Sequence, residues 1–382
     1  MDSFRKKARL IAFYLPQFHP VVENDLWWGK GFTEWTNSSK ARPMFKGHYQ
    51  PRIPADLGYY DLRLPEARIA QAELASAYGI EGFCYWHYWF GNGRRLLEQP
   101  FNEVLKSGKP NFPFCLGWAN QSWTGVWHGS PEKVLIEQKY PGIEDYEIHF
   151  HALVEAFSDD RYIKIDGKPI FVIQTIKNLP EPKVFAECWH ALAVRAGFKG
   201  IYIIGQMDSS RDCRECGFDA NIVDTFKHAV SKMNGSFDNY CVERLEKLIG
   251  LNIKNIYRCI FNKPRIYLYR KFVKYGNIKL RKDVVEYPCV FPNWDNTPRC
   301  GYRGFVFKDS TPKLWRMHLR DAITQVSDRD YDKRVIFIKS WNEWAEGNYL
   351  EPDLKYGRAY LNIIKDELKK TVAGSEGKHS IC

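Results

Sequence analysis

Eight short apolar runs, interrupted by amphipathic segments, constrain this chain more than any other feature. They are LIAFYLPQF (10–18), GFCYWHYWF (82–90), PFCLGWAN (113–120), KPIFVIQ (168–174), GIYIIGQM (200–207), ANIVDTF (220–226), YPCVFPNWD (287–295) and VIFIKSW (335–341). Each is nearly continuous in apolar residues, the pattern of a strand covered on both faces of a parallel sheet. Helix-like stretches lie between them: PEARIAQAELASAYG (65–79), YEIHFHALVEAFS (146–158), PKVFAECWHALAVRAG (182–197) and TPKLWRMHLRDAITQVS (311–327). Gly79 and Gly197 fit the position just past a helix C-terminus. Eight strands with intervening helices predict an α/β fold, a (β/α)8 TIM barrel. A doubly wound open sheet would alternate in the same way, but no G-x-G-x-x-G follows the first strand, which weakens its dinucleotide-binding version. The expected organisation is one catalytic domain over 8–370, a basic amphipathic insertion at 229–286 between strands six and seven, and a flexible tail at 371–382.

The insertion carries most of the charge. From Gly250 to Lys282 there are ten Lys and Arg and no Asp or Glu, so this run accounts for ten of the +11 net charges. Ile256, Tyr257, Ile260, Phe261, Ile266, Tyr267, Leu268, Tyr269, Phe272 and Val273 are interleaved with them. A basic, aromatic, amphipathic stretch is what docking on an anionic membrane face requires; the alternative is a helical insertion whose apolar side packs on the domain. No nucleic-acid-binding module accompanies the charge, and nucleic acid is not an expected partner. The N-terminal MDSFRKKARLIAFYLP has too short an apolar run for a secretory signal. No stretch reaches the roughly 18–20 apolar residues of a membrane span. The ten cysteines have no repeated spacing, which suits free thiols, and Cys213-x-x-Cys216 has no second pair to complete a zinc site. The expectation is a cytoplasmic protein, peripheral at the inner face of the membrane, with no metal or cofactor.

In a (β/α)8 barrel the chemistry collects at the C-terminal ends of the strands. Here those ends are polar and aromatic. The candidate substrate contacts are His19 after strand one, Trp28, Glu34 and Trp35 in the loop that follows, His87 in strand two, Trp118, Asn120 and Trp123 after strand three, Asp295 after strand seven, and Trp341 and Asn342 after strand eight. Indole faces stack on the flat side of a sugar ring, although each of the 13 Trp also serves simply to fill a large core.

The segment SWNEWAEGNYLEP (340–352) puts Glu343 and Glu346 three apart among tryptophans, where an ionised group is costly to bury. Making or breaking a glycosidic bond needs one protonated carboxyl to serve the leaving oxygen and one ionised carboxylate as base, nucleophile or electrostatic partner. An apolar wall raises the pKa of the acid, and polar contacts keep its partner charged. Residues three apart on a regular strand face opposite ways, so the pair converges only if the chain leaves the strand near Trp344. The alternative is one working glutamate and one helix-start or surface acid.

FYLPQFHP (13–20), WWGKGFTEWTN (27–37), GFCYWHYWF (82–90), LGWANQSWT (116–124) and SWNEWAEGNYLEP together resemble the WbsX family of surface-polysaccharide proteins. That family is related to glycoside hydrolase family 99, whose members act on internal α-mannosidic linkages. The resemblance covers nearly the whole chain apart from the basic insertion, and N-E-W-x-E-G is its most specific part. It implies a (β/α)8 barrel and a retaining, metal-independent mechanism. Glu343 would deprotonate the sugar's own 2-hydroxyl, giving a 1,2-anhydro sugar, and Glu346 would protonate the leaving oxygen and then activate the acceptor. The lack of an export signal and the basic insertion point toward cell-surface polysaccharide (O-antigen, lipopolysaccharide or capsule) assembly on an oligosaccharide or lipid-linked glycan. Two other readings remain: a metal-dependent nucleotide-sugar glycosyltransferase using Asp328-Arg329-Asp330, and a non-catalytic glycan-binding protein.

Overall fold

A computed structural model describes residues 6–125, 130–207, 212–234 and 253–369. Eight strands form the barrel wall: β1 (Arg9–Tyr14), β2 (Gly82–Trp89), β3 (Phe114–Trp118), β4 (Lys168–Ile173), β5 (Tyr202–Met207), β6 (Ala220–Val223), β7 (Glu286–Tyr287 and Cys289–Val290) and β8 (Val335–Ile338). They pair in sequence order, and β1 pairs with β8 through Arg9↔Val335 to Ala12↔Ile338; every one of these pairings is parallel. Pro288, which has no N–H to give, divides β7. Its first part pairs with β6 and its second with β8, while the Pro288 carbonyl accepts from Phe337 N at 3.0 Å. All eight expected strands are present, most of them shorter than their apolar runs, because the polar and proline-bearing ends turn into loops.

Helices α1 (Pro65–Ala77), α2 (Gln99–Ser107), α3 (Ile143–His151), α4 (Pro182–Arg195), α5 (Thr225–Asn234), α6 (Tyr269–Gly276), α7 (Pro312–Val326) and α8 (Ala359–Leu368) surround the strands. Proline within the first two positions of α1, α4 and α7 sets φ where an N–H would have no helical partner. Gly79 (φ +97°) and Gly197 (φ +90°) terminate α1 and α4 as expected. The stretch read as one helix over 146–158 is two, α3 and a short helix at Val154–Ser158. The connection from β5 to β6 has only a single 3-10 turn, Cys213–Cys216, among the described residues.

The long basic connection between β6 and β7 is partly packed onto the barrel. Helix α6 buries Tyr269, Phe272 and Val273, with the Phe272 ring 4.3 Å from Phe307 and the Tyr269 hydroxyl donating to Phe291 O at 2.6 Å. Ahead of it, a strand at Arg265–Leu268 pairs in parallel with Phe305–Lys308, in the loop after β7. The remainder of the expected insertion at 235–252 and the tail at 371–382 lie outside the described residues.

Strand periodicity determines what the barrel mouth presents. In β2, Trp86 and Tyr88 face the bore, with Trp86 stacked on Phe13 of β1 at 4.5 Å and an interplanar angle of 4°. Tyr85 and His87 face outward, against Phe101 of α2 and His149 of α3. Gly117 of β3 leaves room for the Trp86 indole, since a Cβ there would lie 3.2 Å from its ring.

Candidate active site

Beyond β8 the chain leaves the sheet as the glutamate spacing requires. Asn342–Glu343 pairs antiparallel with Asn348–Tyr349, and a 3-10 turn at Trp344–Glu346 joins them. Gly347 ends the turn at φ +55°, a region that strongly favours glycine. The Ser340 hydroxyl donates to Asn348 O at 2.6 Å and accepts from Glu343 N at 3.1 Å. From the loop after β7, Asp295 N donates to Glu346 O at 2.6 Å. The turn is therefore tied down on both sides.

Both glutamates line one cavity of about 310 Å3 at the C-terminal mouth of the barrel, and their carboxyls act on one another's ionisation. Their surroundings differ. Glu343 is 5% exposed and accepts the Trp86 indole N–H at 2.8 Å. Burial first, and then the charge of Glu346, push its carboxyl up to about 7 against the opposing pull of Lys339 and Arg299. For Glu346 burial again works against ionisation, but Arg299 and then Lys339 hold its carboxyl below the ordinary value. Arg299 Nη1 lies 2.5 Å from Glu346 Oε1, while Arg299 Nη2 lies 2.9 and 2.8 Å from the two oxygens of Glu34. Lys339, at the end of β8, sits 5.3 Å from the Trp86 ring centroid and 5.8 Å from that of Trp294. The neighbouring glutamates keep it protonated in spite of burial. The arrangement can present one protonated and one ionised carboxyl to a bound molecule, the requirement for general acid–base work.

Of the candidate contacts, Trp28 and Trp123 line the cavity with the two glutamates; Trp86, Tyr88, Gln17, Gln121 and Gln174 complete much of its wall. Trp27 meets Trp123 edge-on at 5.9 Å, so the first and third loops touch beside the opening. Glu34 lies behind the wall, fully buried, gripping Arg299 and accepting Ala345 N at 2.8 Å. Asn120 bridges the third and fourth loops through Thr175 N (2.8 Å) and Thr175 O (2.9 Å). Asp295 is fully buried among His48 (2.7 Å), Gln50 (2.7 Å) and Thr297 (2.6 Å), beneath the turn that carries Glu346. Asn342 binds the backbone of Leu15.

The remaining candidates pack away from the cavity. His87 contacts His149 at 2.8 Å between ring nitrogens on the helix side of β2. Trp118 is buried against His149 and donates to Trp89 O at 2.9 Å. Trp35 donates to Tyr60 O at 2.8 Å, His19 contacts Pro16 O at 3.1 Å, and Trp341 is fully buried against Phe83. Asp328-Arg329-Asp330 precedes β8 and so lies at the opposite end of the barrel from the cavity.

Trp86, Tyr88, Arg299 and Lys339 were not among the candidates. Lys339 carried a signal, a lone charge ending the apolar run VIFI immediately before the glutamate segment. The i, i+2 partnership of Trp86 and Tyr88 was readable once the inward face of β2 was known. Arg299 gave none, because its partners Glu34 and Glu346 are distant in sequence.

Fold and cavity together define a (β/α)8 barrel with a carboxylate pair at its C-terminal mouth. The model of the family described as glycosyltransferase WbsX matches residues 10–364, and the chain belongs to that family. It is 35% identical over 365 residues to the uncharacterized protein WxcX of Xanthomonas campestris pv. campestris strain B100, covering 95% of this chain and 50% of that protein. WxcX of a second strain matches at the same identity and coverage. The chain thus spans about half the length of the curated relatives it matches. Among solved structures it is similar to a glycoside hydrolase-like protein, with a TM-score of 0.59 and 17% identity over 97% of this chain and 96% of the other. It is also similar to the GH99 endo-α-mannosidase of Bacteroides thetaiotaomicron, with a TM-score of 0.57 and 16% identity over 94% and 95%. These two likenesses concern the fold.

Proposed function

We propose that the chain is a carbohydrate-active enzyme that cleaves or transfers at an α-glycosidic, mannoside-like linkage with retention, in cell-surface polysaccharide metabolism. The observation that carries this reading is the unequal carboxyl pair in one aromatic-walled cavity: Glu343 under an indole donor, Glu346 against a guanidinium. Glu343 takes the proton of the sugar's 2-hydroxyl, and the freed oxygen attacks the anomeric carbon to form a 1,2-anhydro sugar. Glu346 gives its proton to the departing oxygen, then receives one from the acceptor, water or a sugar hydroxyl, which opens the anhydro ring. In the free protein burial and the surrounding charges favour the proton on Glu343, so it passes to Glu346 before reaction. Tyr88, Trp28 and Trp123 supply ring-stacking walls.

The test is incubation with α-linked manno-oligosaccharides, following the product anomer by proton NMR, with Glu343→Gln and Glu346→Gln alongside. The α-anomer appearing first, and lost in both variants, is expected. A β-anomer appearing first, or turnover undiminished in the variants, overturns the mechanism. Binding without turnover by the wild type would indicate a glycan-binding protein instead.

The same reading includes a lipid-linked glycan met at an anionic membrane face on the cytoplasmic side. Ile256, Ile260 and Ile266 are exposed on a run free of acidic residues, and the strand at Arg265–Leu268 pairs with the loop that carries Arg299. Among the described residues no helix is long and apolar enough to cross a membrane.

A further inference from the structure

Three loops meet at one guanidinium. Glu34, in the loop after β1, is fully buried and accepts both bonds of Arg299 Nη2; the same carboxylate accepts the N–H of Ala345, which lies between the two working glutamates. With Nη2 held there, the rigid fork of the guanidinium directs Nη1 at Glu346. Glu343 takes its short contact from an indole instead. We propose that Arg299, gripped by Glu34, is the positioning residue that keeps Glu346 ionised and leaves the pair's one proton on Glu343.

Among the described residues the groups facing the pair are Lys339 from the end of β8, Trp86 and Tyr88 from β2, Cys289 from β7, Arg299 and Cys300 from the loop after β7, and Glu34 from the loop after β1. Lys339 acts on both glutamates, and Trp86 donates only to Glu343 without changing charge. Burial pushes the Glu34 carboxyl up and Arg299 pulls it part of the way back. Glu34 on its own disfavours charge on Glu346, so its effect on the pair is exerted through the cation it holds. Among the described residues, Arg299 is the one group that distinguishes the two carboxyls by contact with a full charge. The catalytic meaning of this arrangement rests on the proposed function, but the protonation itself can be read with no substrate present.

The reporter is the Trp86 indole N–H in protein labelled with 15N-tryptophan, identified by its disappearance in Trp86→Phe and followed across pH. In the wild type it titrates with Glu343, near pH 7. In Arg299→Met the neighbouring carboxylate loses its cation, so the pair retains the proton longer and the midpoint rises by about one pH unit, a tenfold change in affinity for the proton. Arg299→Lys keeps the charge and shifts the midpoint less. Glu346→Gln removes the negative neighbour and lowers the midpoint by about one unit. A folded Arg299→Met protein whose midpoint stays within about 0.3 unit of wild type overturns the proposal. If Arg299→Met does not fold, judged by circular dichroism, an unmoved midpoint in Glu346→Gln overturns it. Titrations that move as expected in a protein that turns over no sugar defeat the proposed function and leave this inference standing.

Discussion

The side-chain amide of Asn342 meets the backbone of Leu15 twice: its Oδ1 accepts Leu15 N at 2.7 Å and its Nδ2 donates to Leu15 O at 3.0 Å. The first and last strands of the barrel are thereby joined just beyond their ladder, directly under the turn between Glu343 and Glu346. Asn342→Leu keeps the volume but strands a buried N–H and a buried carbonyl, each costing about 1–3 kcal/mol. The expected loss is about 2–6 kcal/mol in urea unfolding; a change under about 1 kcal/mol would mean that water or a neighbour replaces the clamp.

Glu343→Gln and Glu346→Gln should each lower turnover by about 10²–10⁴, the usual contribution of general acid–base catalysis. Both amides keep the shape of the turn, so Tm should hardly move. Steady-state kinetics alongside thermal unfolding separates the two effects.

Gly347 closes the turn that presents Glu346. Besides its φ of +55°, a Cβ there would lie 2.8 Å from Asp295 Cβ, 3.0 Å from Asp295 N and 3.0 Å from Arg52 Cζ. Gly347→Ala should cost about 1–3 kcal/mol of stability. It should also reduce kcat by displacing Glu346, whose carbonyl is bound to Asp295. Wild-type kcat in this variant would show that the turn tolerates the shift.

His318 is buried on α7 beside Phe272, and burial pushes its imidazolium down to about 4 from an ordinary 6.5. The unfolded chain takes up this proton below pH 6.5 while the folded chain does not until about 4. The stability conferred by the neutral ring is therefore complete above 6.5 and lost as pH falls toward 4, at about 1.4 kcal/mol per unit. Between pH 7.5 and pH 5 it accounts for about 2 kcal/mol of the wild-type loss in denaturant unfolding. His318→Gln should narrow the gap between those two pH values by that amount, and an equal gap would show that the ring ionises without unfolding the protein. His87 and His149, whose values burial drives well below the ordinary one, add losses of the same sign.

Removing 250–282 outright would take away Tyr269, Phe272 and Val273, which belong to the core, so membrane docking is better tested at exposed positions. Ile260 is 70% and Ile256 44% exposed. The double variant Ile256→Ser, Ile260→Ser should lose most sedimentation with phosphatidylserine-containing vesicles and retain its Tm. Undiminished pelleting would exclude these residues as the contact.

The barrel was legible because β1 to β8 bury both faces and so read as uninterrupted apolar runs, with proline marking the starts of α1, α4 and α7. The convergence of Glu343 and Glu346 was legible as a condition: a break in the strand near Trp344, which the 3-10 turn meets. The rest of the mouth was harder to read. Polar residues after a strand look alike whether they face the bore or bind another loop, and one residue of register separates Trp86 in the cavity from His87 behind it. Asn120, Asp295 and Asn342 lie at the right end of the barrel, but their hydrogen-bonding groups are engaged in joining loops. The partners that make them so, Thr175, His48 and Leu15, lie 55, 247 and 327 positions away, beyond what local spacing conveys.

Loops on a (β/α)8 barrel are commonly treated as separable parts, free to vary while the wall stays constant. The reach of Glu34 from the first loop to Arg299 and Ala345 removes that freedom here. A chimera given a foreign first loop without this carboxylate would inherit a misaligned last loop as well. Redesign of the cavity therefore has its open ground in the loop after β3 that brings Trp123, which has no part in the Glu34–Arg299–Glu346 linkage.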